Sequence, residues 1–365
     1  MSERIRIDSA DVARAPEVRS GPQRAGGALP VHDGEVFGRV SPSQATQIGP
    51  ESGGIWAKPK FLFAVAGLAA AVVASILADG IGGFNRAEVA GEAPSPLLAL
   101  LFIGAFGSLL TACIAAADDV ASGAYGRGLL FGLLGFVLGG IGGVLSIFGG
   151  GVFAMALQPL LLALGLQMPE SDLGFVFTNM VIRAPVWLIM GALCGAMIGG
   201  MGRAWRRAWL GALGGAAGGL LGGMLFDPLS YMTGGIQPGH GAWLSRLIGV
   251  MVMGSATGFA IAYAEQAAKQ AWLAIERGRL IGKQFIIYRN PTRIGASYSN
   301  DVFLFKDSSV QQEHARIIRR GGSYIVEALS GSLLRVNGQP TVSRALSNGD
   351  TLQVGETVMR FNTKS

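Results

Sequence analysis

Adjacent carboxylates at the end of an apolar run are the first residues of this chain that could do chemistry. Asp118 and Asp119 close a long hydrophobic stretch, where paired acids could bind a cation or relay protons. Neighbours on a helix point in different directions, however, and no third acid follows them, so a solvated pair at a helix end is the expectation. Arg183 and Arg246 lie near the ends of apolar runs, where their stems can reach the interface. Cys113 and Cys194 both fall inside apolar segments, without disulfide or metal spacing. His32, His240 and His314 stand far apart. The glycine-rich runs lack the lysine and hydroxyl ending of a phosphate loop. The sequence therefore implies no enzyme, no cofactor and no metal site.

The elements that must carry these residues are read from hydropathy. Charged residues make up 14% of the 365 and mean hydropathy is +0.44, where a soluble domain carries roughly a quarter charged residues. Six runs have the ~20 apolar residues needed to span a bilayer core: Phe61–Ala78, Leu97–Ala117, Gly128–Phe148, Val181–Met201, Ala208–Phe226 and Trp243–Tyr263. A seventh apolar run, Val152–Leu166, is short and contains Gln158 and Pro159; re-entrant, interfacial and crossing placements all stay open. Six crossings satisfy the preference of Lys and Arg for the cytoplasmic side. Lys58, Lys60, Arg127, Arg203, Arg206, Arg207, Lys269, Arg277 and Arg279 then fall inside, and the poorly basic loops fall outside. Both termini are expected in the cytoplasm. The net charge of +6 is thereby explained by topology rather than by nucleic-acid binding.

Glycine dominates the apolar region. Gly135, Gly139 and Gly143 repeat every fourth residue, as do Gly191, Gly195 and Gly199, and Gly211, Gly215, Gly219 and Gly223. Such ladders put bare Cα atoms on one helix face and let two backbones approach closely. They predict helix packing within the bundle, with a self-association face or a pore lining as alternatives. Arg127 with the first ladder recurs eighty residues later as Arg207 with the last, each after a span carrying a cysteine. This reads as two related helical hairpins in parallel orientation.

Past residue 264 the pattern changes. Residues 265–283 read as a helical connector around Trp272 and Leu273, ended by Gly278. Short β-rich runs then alternate with turns: Gln284–Tyr288, Val302–Phe305, His314–Arg319, Ser323–Glu327, Leu333–Val336, Thr351–Val354 and Thr357–Phe361. Gly321-Gly322, Asn337-Gly338 and Asn348-Gly349-Asp350 supply the positive φ angles of tight hairpins. The polar stretch 1–58 has no sustained period and reads as a disordered cytoplasmic tail, with Thr46 a candidate phosphosite.

The ordered series Ile294-Gly295, Asn300-Asp301-Val302, Val310, His314-Ala315-Arg316-Ile317, Val336-Asn337-Gly338, Leu346, Asn348-Gly349-Asp350, Val354-Gly355 and Met359-Arg360-Phe361 resembles a forkhead-associated (FHA) domain over about the last quarter of the chain. The resemblance implies a β-sandwich that docks proteins, in the best-known case through phosphothreonine. The phosphate-gripping positions are altered. The family's arginine falls on Ala296, its serine and basic residue on Gln311 and Gln312, and its asparagine-glycine pair on Ser332 and Leu333. His314 matches a loop-bracing histidine. Ser297, Ser299, Asn300, Gln311, Gln312, Ser332 and Arg335 remain as peptide-binding candidates, with Arg335 or Arg293 able to replace the lost arginine if phosphate is still bound.

The fold class expected is multi-domain: an α-helical membrane bundle (59–264), a connector (265–283) and an all-β FHA-like sandwich (284–365). The function expected is a membrane-anchored scaffold or signalling protein of a bacterial inner membrane, docking a cytoplasmic protein or (phospho)peptide. A transporter or channel component regulated by the β module is the alternative. The partners implied are the lipid bilayer, the docked protein and a second copy of the chain.

Overall fold

The computed structural model describes residues 59–82, 95–165, 172–201, 204–232, 242–305, 307–329 and 331–364. The tail over 1–58, with His32 and Thr46, lies outside them, as do Arg203, His240 and the side chain of Arg246.

Six helices come first: α1 (Pro59–Gly82), α2 (Pro96–Ala121), α3 (Tyr125–Ala163), α4 (Asp172–Met201), α5 (Trp205–Met232) and α6 (Ala242–Ala267). All six are long and apolar enough to cross a membrane. The α2 start is specified locally: Pro96 stands at N1, and the Ser95 hydroxyl accepts the Leu98 N–H at 3.3 Å. The short run from Val152 turns out to be the last third of α3. That helix has 39 residues and is about 58 Å long at ~1.5 Å per residue, nearly twice the ~30 Å of a hydrocarbon core.

Glycine sets the packing. Gly191 and Gly195 of α4 sit against the backbone of Gly215 and Gly211 of α5, and Gly199 against Arg207. Partner numbers on α5 fall as α4 is followed forwards, so the pair is antiparallel. Gly139 and Gly143 of α3 meet Gly107 and Ile103 of α2 in the same way, and Gly67 of α1 meets Gly254 of α6. The spacing alone missed a second face on α5. A Cβ at Gly214 would lie 2.6 Å from the Ala260 carbonyl oxygen, and one at Gly218 would lie 2.5 Å from Thr257 Cα. Helix α5 is thus pressed between α4 and α6 with glycine on both sides.

The β-sandwich begins earlier than its turn signals suggest. The expected helical connector is wrong beyond Ala267: β1 (Ala271–Arg277) is a strand. Ala271, Leu273 and Ile275 point into the core while alternate residues do not. The stretch pairs antiparallel with β11 (Thr357–Thr363) and β2 (Gln284–Ile286), placing Leu273 opposite Phe361 and Ile275 opposite Met359. Tertiary pairing overrides the helical leaning of Ala, Leu and Glu here. Gly278, expected to stop a helix, instead has φ +124° where the chain leaves β1.

The remaining strands are β3 (Thr292–Gly295), β4 (Val302–Phe303), β5 (Ala315–Arg320), β6 (Ser323–Ala328), β7 (Leu334–Val336), β8 (Gln339–Pro340), β9 (Ser343–Leu346) and β10 (Thr351–Val354). They form two sheets, ordered β2-β1-β11-β10-β7-β8 and β4-β3-β5-β6-β9. Leu273, Ile294, Ile317, Val326, Leu334 and Phe361 fill the space between them, all within the buried core. Asn337 (φ 53°) and Gly338 (φ 77°) make the β7–β8 turn, which needs two positive φ angles in succession.

Candidate functional site

Three loops meet at one end of the sandwich, and backbone geometry holds them there. Gly295 ends β3 where a Cβ would collide with the Gln312 carbonyl and lie 2.7 Å from Asn300 Nδ2. Only glycine lets the 296–301 loop lie so close to the segment before β5. Asn300 is buried and donates from Nδ2 to the Gln312 carbonyl at 2.6 Å. The backbone N–H groups of Ala296 and Ser297 donate to the carbonyls of Gln311 and Gln312. Ser297 and Ser299 hydroxyls share a 3.0 Å hydrogen bond. Gln311 Nε2 donates to the Gly331 carbonyl at 3.1 Å, and Ser332 Oγ donates to Gln311 Oε1 at 2.9 Å.

His314 braces all of this from beneath, as its position implies. The ring is buried. Its Nδ1 accepts the Gln311 N–H at 3.2 Å, so the proton sits on Nε2, which donates to the Leu333 carbonyl at 3.1 Å. The structure therefore brings Ser297, Ser299, Asn300, Gln311, Gln312 and Ser332 into one hydrogen-bonded group. Arg335 stands apart, exposed on β7 in the other sheet and registered with Gln353 and Pro340.

The apex has two sides. Gln311, Gln312 and Leu333 are solvent-exposed, Leu333 to 63%. The 298–301 side instead faces the helices. Tyr298 lays its hydroxyl on Gly126 at the start of α3, and Arg127 stacks over the Phe303 ring at 5.3 Å. Further pairs tie the sandwich to the bundle. Lys283 reaches Asp118 at 3.2 Å and the Ser122 hydroxyl at 3.0 Å. Tyr288 donates to the Glu265 carbonyl at 3.1 Å, while Glu265 also holds Arg207 at 2.9 Å. Burial, and then the Glu265 charge, push the Tyr288 phenol well above its ordinary value, so it stays a donor. Arg206 donates to Gln270 and to the Ala268 carbonyl.

These contacts correct the expectation for the paired acids. Asp118 is exposed, but Asp119 is buried and held by Arg127 at 3.1 Å. They are anchor points rather than one solvated pair. Arg183 does not simply snorkel: it holds the buried Asp227 of α5 at 2.8 Å. Tyr298, Lys283 and Tyr288 carried no local signal, since their partners lie far away in sequence.

Asp307 is another residue that sequence reasoning missed. Its carboxylate accepts the N–H groups of Ser309, Glu356 and Thr357 and the Thr357 and Ser309 hydroxyls. Burial raises its carboxyl, but these hydrogen bonds outweigh that and leave it below its ordinary value.

Residues 275–365 match the family model for the cytoplasmic domain of an inner membrane component of the T3SS. The C-terminal domain is FHA-like. The oxoglutarate dehydrogenase inhibitor of Corynebacterium jeikeium is 36% identical over 87 residues, covering 24% of this chain and 60% of that protein. The glycogen accumulation regulator GarA of Mycolicibacterium smegmatis is 33% identical over 94 residues, covering 26% of this chain and 59% of that protein. The chain thus spans about 60% of the length of the curated relatives it matches. Among solved structures, the FHA domain of a Chlamydia trachomatis protein is 21% identical, with a TM-score of 0.24 over 27% of this chain and 100% of that one.

Proposed function

We propose that this protein is a membrane-anchored scaffold or signalling component whose FHA-like domain docks a protein partner without requiring phosphothreonine. The observation that carries the reading is the apex itself. A phosphate dianion wants a bidentate guanidinium, and Ala296 stands where the resemblance implies one. The polar groups that remain are neutral and in part pre-set: Gln311 and Ser332 hold one another, His314 holds the Gln311 backbone, Ser297 is tied to Ser299, and Gln312 is fixed through its backbone carbonyl. Beside them Leu333 offers exposed apolar surface. Fixed polar donors around an apolar anchor suit a neutral peptide segment at low ordering cost. The matched family describes the cytoplasmic domain of an inner membrane component, which supports a membrane-anchored role. We place the protein in the inner membrane with both ends of the chain on the cytoplasmic side, because Arg127, Arg206, Arg207 and Lys283 gather where the sandwich meets the bundle.

The test is an array of unmodified peptides probed with the full chain in detergent. Peptides that bind should lose about tenfold in affinity to a Gln311→Ala, Gln312→Ala, Ser332→Ala triple variant, the cost of about one and a half neutral hydrogen bonds. Peptides that bind the triple variant equally well would place the docking surface elsewhere.

A further inference from the structure

A half-open cleft of about 760 Å³ lies between the bundle and the sandwich, and Gln311, Gln312, Ser332 and Leu333 of the proposed docking surface do not line it. Its two walls differ in kind. One is the apolar flank of α3, where Leu130, Leu134 and Leu138 follow one another at single-turn spacing on one face. Leu130 and Leu134 are exposed, to 48% and 45%, on a helix apolar and long enough to span a bilayer. The wall is therefore continuous with surface that meets hydrocarbon.

The opposite wall, on the sandwich, carries Arg289 and Arg293 with the carboxylate of Asp301, and Arg127 and Arg207 of the bundle add further positive charge to the lining. Arg127 and Arg207 are committed to Asp119 and Glu265. Arg289 gives one N–H to Asp301 at 3.2 Å, and Arg293 reaches Glu313 at only 3.5 Å across a half-exposed gap. Each guanidinium has five donors, so Arg289 and Arg293 keep most of theirs for another acceptor.

We propose that this cavity binds the phosphate headgroup of an anionic phospholipid, with Arg289 and Arg293 on the phosphate and an acyl chain along Leu130 and Leu134. An arginine pair matches a phosphate's paired oxygens, and a basic recess at the cytoplasmic end of membrane helices attracts anionic lipid. The apolar flank sets the source of the phosphate, because a soluble ester would leave the leucines uncovered. The lipid would bridge the two halves of the molecule, the headgroup on β3 and its neighbours and the tail on α3.

The experiment is native mass spectrometry of the full chain in detergent, titrated with phosphatidylglycerol, phosphatidylcholine or glycerol 3-phosphate. Phosphatidylglycerol should bind about tenfold more tightly than phosphatidylcholine, and Arg289→Ala with Arg293→Ala should abolish the preference. Leu134→Trp fills the apolar wall and leaves every charge in place; it should weaken phosphatidylglycerol several-fold at unchanged thermal stability. Arg316→Ala with Arg344→Ala removes the same charge elsewhere on the sandwich and should keep the preference. Equal binding of the two lipids, or loss of preference in both double variants alike, would overturn the proposal. Glycerol 3-phosphate competing at the lipid's own concentration would overturn the lipid assignment in favour of a soluble phosphate ester.

Discussion

The helix bundle and the β-sandwich both depend on glycine, for opposite reasons. In the bundle, what matters is the missing side chain: Gly195 and Gly211 let two helix backbones touch. In the sandwich, what matters is the backbone angle: Gly338 and Gly349 have open space around them, and φ angles of 77° and 91°. Lipid gives helices no hydrophobic reason to associate, so close backbone packing carries the bundle. The sandwich has water outside and an apolar core inside, so burial carries it and glycine only turns the chain.

The sharpest way to break this comparison is to add a side chain to each kind of glycine. Gly195→Leu drives its side chain into the Gly211 backbone and should destabilise the full chain by more than ~3 kcal/mol, read as thermal unfolding in detergent. Gly151→Leu on α3 meets open space and should stay within about 0.5 kcal/mol. Equal effects at the two positions would mean that the bundle does not rest on backbone contact.

Within the sandwich the expected effects are smaller. Asp307→Ala strips acceptors from the Glu356 and Thr357 N–H groups and should cost about 2–3 kcal/mol. The sign of its pH dependence follows from its lowered carboxyl. The stabilisation is complete above the unfolded carboxyl's ordinary value of 3.8 and is lost as pH falls through the lower folded value. The gap in melting temperature between the native chain and Asp307→Ala should therefore narrow only in strong acid. His314→Ala leaves the Gln311 N–H and the Leu333 carbonyl without their partner and should cost about 2 kcal/mol, with faster amide exchange in the 311–313 and 329–333 loops. Gly338→Ala strains one turn residue and should cost only about 1 kcal/mol. A larger loss at Gly338 than at Gly195 would reverse the comparison.

Sequence reading reached the two regions unequally. Hydropathy over ~20 residues marks a membrane helix almost without context, and the ladder Gly191-Gly195-Gly199 marks a close face. It does not say which helix lies opposite, so the second face of α5 at Gly214 and Gly218 stayed hidden. In the sandwich, turn residues such as Asn337-Gly338 announce themselves locally. Strand β1 does not, because Ala271–Arg277 becomes a strand through pairing with residues about ninety positions later. The apex donors and His314 were legible through the ordered motif. The seam between the regions was not: Lys283 with Asp118, Tyr288 with Glu265, and Tyr298 on Gly126 join residues that no local pattern relates. The basic cavity at that seam was invisible for the same reason.

The most direct test of the account compares matched peptides. The full chain in detergent is titrated with pairs that differ only in phosphorylation of one threonine, including a pair around Thr46. Each pair should bind within about twofold, with affinity lost in the Gln311, Gln312 and Ser332 triple variant. Binding confined to the phosphorylated member, and abolished by Arg293→Ala, would contradict it and make the apex a rebuilt phosphothreonine site.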